Sequence, residues 1–226
     1  MRDLHFVCSQ PVKNLGVKVL TSHLYNIVNT KTSNDFEEFL KKGLRDIKCY
    51  WSDRDYKSDS ILSGFQDLHI KVGKNPKKYL ASPEVLLRLF LERDRFPRIN
   101  LLVDLYNLIS LRTRLALGAH DNKYVKGDIS LRLTNGTEHF LPLGHIENEK
   151  VSANEYAYID DENNIICRME VVQVESTKIT EDSSDIFLIV QGNMNTEICE
   201  VEKTNTQVIS LIQRFCGGEV KSLNTV

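Results

Sequence analysis

Three polar residues on one apolar helix are the first candidates for chemistry. Asn100, Asp104 and Asn107 lie in the stretch Pro97–Asp121, PRINLLVDLYNLISLRTRLALGAHD, where nearly every other position from 99 to 111 is apolar. At 100° per residue they fall within about 60° of one another, so an oily helix carries one narrow polar stripe. Asn and Asp compete for backbone hydrogen bonds inside a helix. A buried polar group without a partner costs about 1–3 kcal/mol. The stripe therefore needs internal partners or a ligand. Two carboxamides and a carboxylate can hold an amino group and a hydroxyl at once. The structural alternative is that they hold the backbone of the adjacent loop, Asn100 above all, because it stands nearest the helix start.

Four further places carry candidate groups. Leu117–Asp121 reads as a Gly-containing turn in which Gly118 and Ala119 let a ligand approach the backbone. His120 is either a hydrogen-bond donor or proton shuttle there, or a polar surface residue. Glu155 shares a strand face with Ala157 and Ile159; if that face is inward, its carboxylate needs a cation, with Arg168 as the internal candidate. The hydroxyl-rich segment 177–184, with Thr177 and Thr180, lines a pocket or forms a polar turn. No GxSxG elbow, P-loop or GxGxxG is present, and no cysteine stands beside a histidine in sequence. Any hydrolysis would use a positioned water.

The elements that must place these residues are legible from period and punctuation. Residues 4–8 and 16–20 read as strands, the second running into an alternating stretch at 22–27. Ser33 caps a helix to about Lys48, and a loop at 52–60 leads to a helix over Ile61–Val72. Ser82 as N-cap with Pro83 and Glu84 starts a helix ending near Arg93, and Phe96-Pro97 breaks the chain before the central helix. After Asp121 the period becomes two. Asp128–Leu133 is a strand, Asn135-Gly136 a two-residue hairpin, and Thr137–Leu141 its return. Strands follow at Glu155–Ile159, Ile165–Val174 and Asp185–Val190, then a helix over Thr206–Cys216 stopped by Gly217-Gly218. Helices first and strands second describe an α+β fold, with the helices of the first half packed on a mainly antiparallel sheet.

The chain of 226 residues is 41% apolar and 27% charged, as expected for a soluble protein of one domain spanning 1–226. No apolar run approaches the ~20 residues of a membrane span. The N-terminus lacks a basic start and an apolar stretch, so the expected location is cytoplasmic. Five scattered cysteines favour free thiols. No CxxC or HxxxH pair is present, so no metal and no cofactor are expected. The net charge of −2 conceals an asymmetry: residues 71–126 hold twelve Lys and Arg against five Asp and Glu, and residues 127–202 hold four against sixteen. The basic block Lys71, Lys74, Lys77, Lys78, Arg88, Arg93, Arg95 and Arg98 suits a phosphate-bearing partner; otherwise the two blocks are solvated faces of opposite sign.

Several of these pieces together resemble the B3/B4-type editing domain of the phenylalanyl-tRNA synthetase β subunit, and more closely its free-standing relatives. They are Pro97–Asn100, Val103–Asn107, Gly118–Asp121, Gly127-Asp128-Ile129 opening a strand, Glu155–Asp160 and Cys167-Arg168. The resemblance spans roughly residues 60–218 (about 61–218 as the core), with 1–60 less distinctive. It implies hydrolysis of the ester of a mischarged aminoacyl-tRNA in trans, because no aminoacylation module accompanies the match. On this reading Asp104, Asn107 and His120 are catalytic, and Asn100, Tyr106, Gly118, Glu155, Arg168, Thr177 and Thr180 bind the aminoacyl-adenosine end. The basic block holds tRNA phosphates. The synthetase domain removes tyrosine, but Tyr106 stands where it has threonine, Gly118 where it has the pocket histidine, and His120 where it has phenylalanine. Tyrosine specificity is therefore not carried over. Some free-standing relatives clear canavanine from arginine tRNA, and a cationic side chain would suit Asp104 and Glu155. The alternatives are a non-catalytic tRNA- or aminoacyl-binding module and a hydrolase of an unrelated small ester or amide.

Overall fold

The computed structural model describes residues 4–225. Among the described residues nine strands form two sheets. The first has the order β1 (Phe6–Cys8), β4 (Ile129–Leu133), β5 (Tyr156–Asp160), β6 (Ile165–Arg168) and β7 (Val172–Gln173), antiparallel except for the parallel β1–β4 pair. The second is wholly antiparallel, in the order β3 (Ala116–Asp121), β8 (Asp185–Gly192), β2 (Lys18–Tyr25), β9 (Glu219–Thr225). Aromatic rings join the sheets: the Phe6 centroid lies 5.7 Å from that of Phe187 and 6.2 Å from that of Tyr158. The Tyr158 hydroxyl also reaches across to donate to Gln191 Oε1 at 2.6 Å.

Six helices complete the fold: α1 (Gln10–Leu15), α2 (Asn34–Trp51), α3 (Ser60–Lys71), α4 (Ser82–Arg93), α5 (Leu101–Thr113) and α6 (Ile198–Cys216). α6 packs on β2 and β8, α5 packs on β3, and α2, α4 and α6 pack on α5. Ten of the thirteen α5 residues are buried. α5 is therefore hydrophobic on nearly all sides, as a core helix must be. No helix among the described residues is long and apolar enough to cross a membrane.

Most expected elements occur within a few residues of their expected bounds, and the differences have local causes. The α4 N-cap is Ala81, one residue before Ser82. Leu117–Asp121 is not a turn but most of β3, buried at every position. A strand covered on both faces shows no alternation, so its sequence hid it. Asn135-Gly136 does not make a hairpin with Thr137–Leu141. The Glu138 carboxylate accepts from the backbone N–H groups of Asn135 and Gly136, and β5 takes the place beside β4. The strand read over 165–174 breaks into β6 and β7 at Met169, which adopts φ +52°. α6 starts eight residues before Thr206, held by a reciprocal capping box of Glu197 and Glu200. α1 and β9 were not expected from sequence.

Candidate functional site

The polar stripe of α5 divides in two. Asn100 is the N-cap: its Oδ1 accepts from Val103 N at 3.0 Å, and its amide donates to Ile179 O at 3.3 Å. Asp104 is 1% exposed; it accepts from Ile99 N at 2.8 Å and from Arg98 Nε at 2.6 Å. Burial outweighs these contacts and raises its pKa above the ordinary carboxylate value. Arg98 also pairs with Glu37. Asn100 and Asp104 thus serve the helix start and do not reach a cavity wall. Asn107, one turn on, does: its side chain is half-buried, lines the cavity described next, and has no partner among the described residues.

That cavity measures about 260 Å³ and lies between α4, α5, the β3 edge and the β6–β7 turn. Its walls are mainly apolar, with Val103, Leu117, Val171, Val172 and Ile189 among them, and Val85 and Ile99 are exposed at its rim. Asn107, Tyr106, His120 and Gln173 supply polar ends without partners on the cavity side among the described residues. His120 is fully buried; its Nδ1 lies 2.8 Å from Thr177 Oγ1, and its Nε2 has no hydrogen-bond partner among the described residues. Burial pushes its pKa down to about 3, so the ring is neutral near pH 7 and a weak base. It orients or donates more readily than it takes a proton. Gly118 leaves room for Gln173: a Cβ on Gly118 would sit 2.8 Å from Gln173 Nε2.

Beneath the cavity runs a network that sequence reasoning missed. Glu170 Oε1 lies 2.6 Å from His69 Nε2, and its Oε2 accepts from Tyr156 Oη at 2.6 Å and Gln191 Nε2 at 2.8 Å. His69 Nδ1 faces Tyr79 O at 2.7 Å. Both ring nitrogens thus meet acceptors. Burial lowers the His69 pKa, but the Glu170 hydrogen bond and charge outweigh it, so the net shift is upward. Glu170 and Gln191 are cavity-wall residues. The only sequence signal for Glu170 was the Cys167-Arg168-Met169 run beside it, and it gave no sign of the Met169 turn.

Other expected site residues lie elsewhere. Glu155 is fully buried, but it meets Arg168 Nε at 2.6 Å, Lys74 Nζ at 2.6 Å and Ser152 N at 3.0 Å, away from the cavity. Burial raises its pKa, and these cations outweigh that and lower it. Arg168 is thereby engaged as the internal partner. Thr177 reaches the site only through His120, and Thr180 is exposed with its N–H bonded to Ser183 Oγ. In the basic block Lys74 and Arg98 are paired with the buried carboxylates of Glu155 and Asp104, and Arg88 pairs with Glu92. Lys71 donates to Leu15 O, while Lys77, Lys78, Arg93 and Arg95 are exposed without a carboxylate partner among the described residues. Among the described residues no three His, Cys, Asp or Glu side chains stand together to hold a metal ion.

Two sheets joined through Phe6, Phe187 and Tyr158, with a helix-walled apolar cavity at the edge of one, define an α+β domain. A family model for the B3/4 domain matches residues 65–217, and the chain belongs to that family. Among solved structures it is similar to an N-terminal fragment of the phenylalanyl-tRNA synthetase β-subunit from Pyrococcus horikoshii, at 15% identity and a TM-score of 0.53. The alignment covers all of this chain and 52% of that one, so the chain spans about half its length. A likeness at this identity is a likeness of fold. No curated protein sequence matched.

Proposed function

We propose that this protein hydrolyses the ester of a mischarged aminoacyl-tRNA in trans, with the amino acid in the 260 Å³ cavity. The observation that carries this reading is the set of polar ends without partners among the described residues on a mainly apolar wall: Asn107, Tyr106, Gln173 and His120 Nε2. Membership of the B3/4 family supports it. The volume sits just below the roughly 300–1,000 Å³ of drug-sized pockets, on the scale of one amino acid. A water attacks the carbonyl carbon, the developing oxyanion meets amide donors of Asn107 and Gln173, and the terminal ribose oxygen leaves with a proton. With His120 neutral and weakly basic, the ribose hydroxyl beside the ester relays the proton from the attacking water to the leaving oxygen. The exposed Val85 and Ile99 offer the terminal adenine a surface, and Arg93 and Arg95 follow on the same segment for phosphates.

The wall also shapes the choice of amino acid. Canavanyl-tRNA rested on Asp104 and Glu155, both now partnered away from the cavity. Glu170 is the one carboxylate on the wall among the described residues, and His69 offsets it. We therefore assign an uncharged, mainly apolar side chain. A panel of mischarged tRNAs tests this: esters of neutral amino acids are hydrolysed faster than arginyl or canavanyl esters. The reverse order overturns the side-chain assignment. Binding of tRNA with no hydrolysis of any ester leaves the non-catalytic module instead.

A further inference from the structure

We propose that a second cavity, beside the start of α6, binds a phosphate group. It measures about 330 Å³ and lies where the end of α5 and the first turns of α3 and α6 meet. Arg112, Arg114 and Lys203 line it against a single carboxylate, Glu200. Arg114 is already engaged: its Nε lies 3.3 Å from Asp59 Oδ2, and its Nη1 donates to Arg112 O at 2.8 Å. Glu200 is engaged too, accepting from Glu197 N at 3.0 Å in the capping box. Arg112 and Lys203 have no carboxylate partner among the described residues. The cavities at Asp185 and at Asp160 each set one lysine against one carboxylate, so neither has this excess of free cations.

Thr204 is the second observation. It is 4% exposed and lines the cavity, and its hydroxyl has no hydrogen-bond partner among the described residues. A helical threonine commonly returns its hydroxyl to the carbonyl one turn back, as Thr206 does to Glu202 O at 2.9 Å in the same helix. Thr204 does not. Arg112, whose guanidinium also passes Gly43 of α2, lines one cavity with Lys203 and Thr204, and a guanidinium, an ammonium and a hydroxyl together supply donors to several oxygens of one phosphate. The positive ends of α3 and α6 favour the same charge, while the last carbonyls of α5 oppose it and Arg112 offsets them. The site stands apart from the aminoacyl cavity and does not rest on the deacylase reading.

Such a phosphate belongs either to an RNA backbone or to a free phosphate compound, and two measurements on the full chain separate them. Thermal unfolding in sodium phosphate is compared with sodium chloride at equal ionic strength. Binding of uncharged tRNA is followed against salt. The proteins are wild type, Arg112→Gln with Lys203→Gln, and Thr204→Val. Phosphate raises the wild-type Tm, the double variant needs about tenfold more phosphate for the same rise, and Thr204→Val about threefold more. A tRNA salt slope reduced by about one in the double variant assigns the phosphate to RNA. An unchanged slope with the phosphate effect assigns it to a free compound. A wild type indifferent to phosphate together with an unchanged slope overturns the site, as does an equal rise in all three proteins. If the double variant loses stability in chloride, the Thr204→Val titration alone decides. Ester hydrolysis by wild type is scored separately, so its failure leaves this result standing.

Discussion

The β6–β7 turn separates two polar regions with opposite accounts. On one side, Arg168 lies with Glu155 and Lys74 in a corner where each charge has a partner within 2.6 Å. Two residues on, past the left-handed Met169, Glu170 stands in the wall of a cavity where Asn107, Tyr106, Gln173 and His120 Nε2 have none among the described residues. Both regions are buried and rich in polar atoms. They differ in whether the hydrogen-bonding capacity is used. Saturated groups hold elements together, and unsaturated groups keep capacity for a ligand.

Variants sharpen that contrast from both sides. Glu155→Ala leaves Arg168 and Lys74 facing an empty space, and the expected loss is about 3–5 kcal/mol in urea unfolding. Hydrolysis by the remaining folded fraction is unchanged; a selective loss of activity at full stability would return Glu155 to the site. Asn107→Ala is the mirror case. Stability stays within about 0.5 kcal/mol, because no internal bond is lost, while kcat for ester hydrolysis falls about 10²–10³-fold. Equal kcat would remove Asn107 from the reaction. Gly118→Ala pushes the Gln173 amide from its place, a movement that a flexible side chain tolerates without unfolding. The expected result is a kcat lower by about tenfold at unchanged Tm.

The smallest effect is a pH dependence at the border of the two regions. The folded His69 pKa is raised by Glu170, above an unfolded value of about 6.5. This contribution to stability is fully present below that value and is lost as pH rises through the raised folded pKa. The urea midpoint of wild type therefore falls across that window, and that of His69→Gln does so less. Parallel profiles would show that His69 does not carry the charge.

Much of the fold was legible. Ser33 caps α2 and Phe96-Pro97 precedes α5, and the alternation of 129–133 is β4, because these signals are local. β3 and the Met169 turn were not legible, since burial on both faces erases periodicity and a positive φ at methionine has no composition signal. The site was legible in part. Asn107, Tyr106, Gly118 and His120, separated in sequence, line one cavity. Asn100, Asp104 and Glu155 showed only that polar groups in apolar stretches need partners. The identity of those partners depends on residues far along the chain.

The sequence by itself determined that the polar groups at 100, 104 and 107 stand in an apolar helix and need partners or a ligand where buried, because burial without hydrogen bonds costs too much; for His120 and Glu155 it left burial open. Only the tertiary structure decided which were satisfied from within. Arg98, Arg168, Lys74 and the Ile179 carbonyl reach Asp104, Glu155 and Asn100. Among the described residues nothing reaches the side chain of Asn107 or Nε2 of His120, and a turn set by packing brings Gln173, and the fully partnered Glu170, to the same wall.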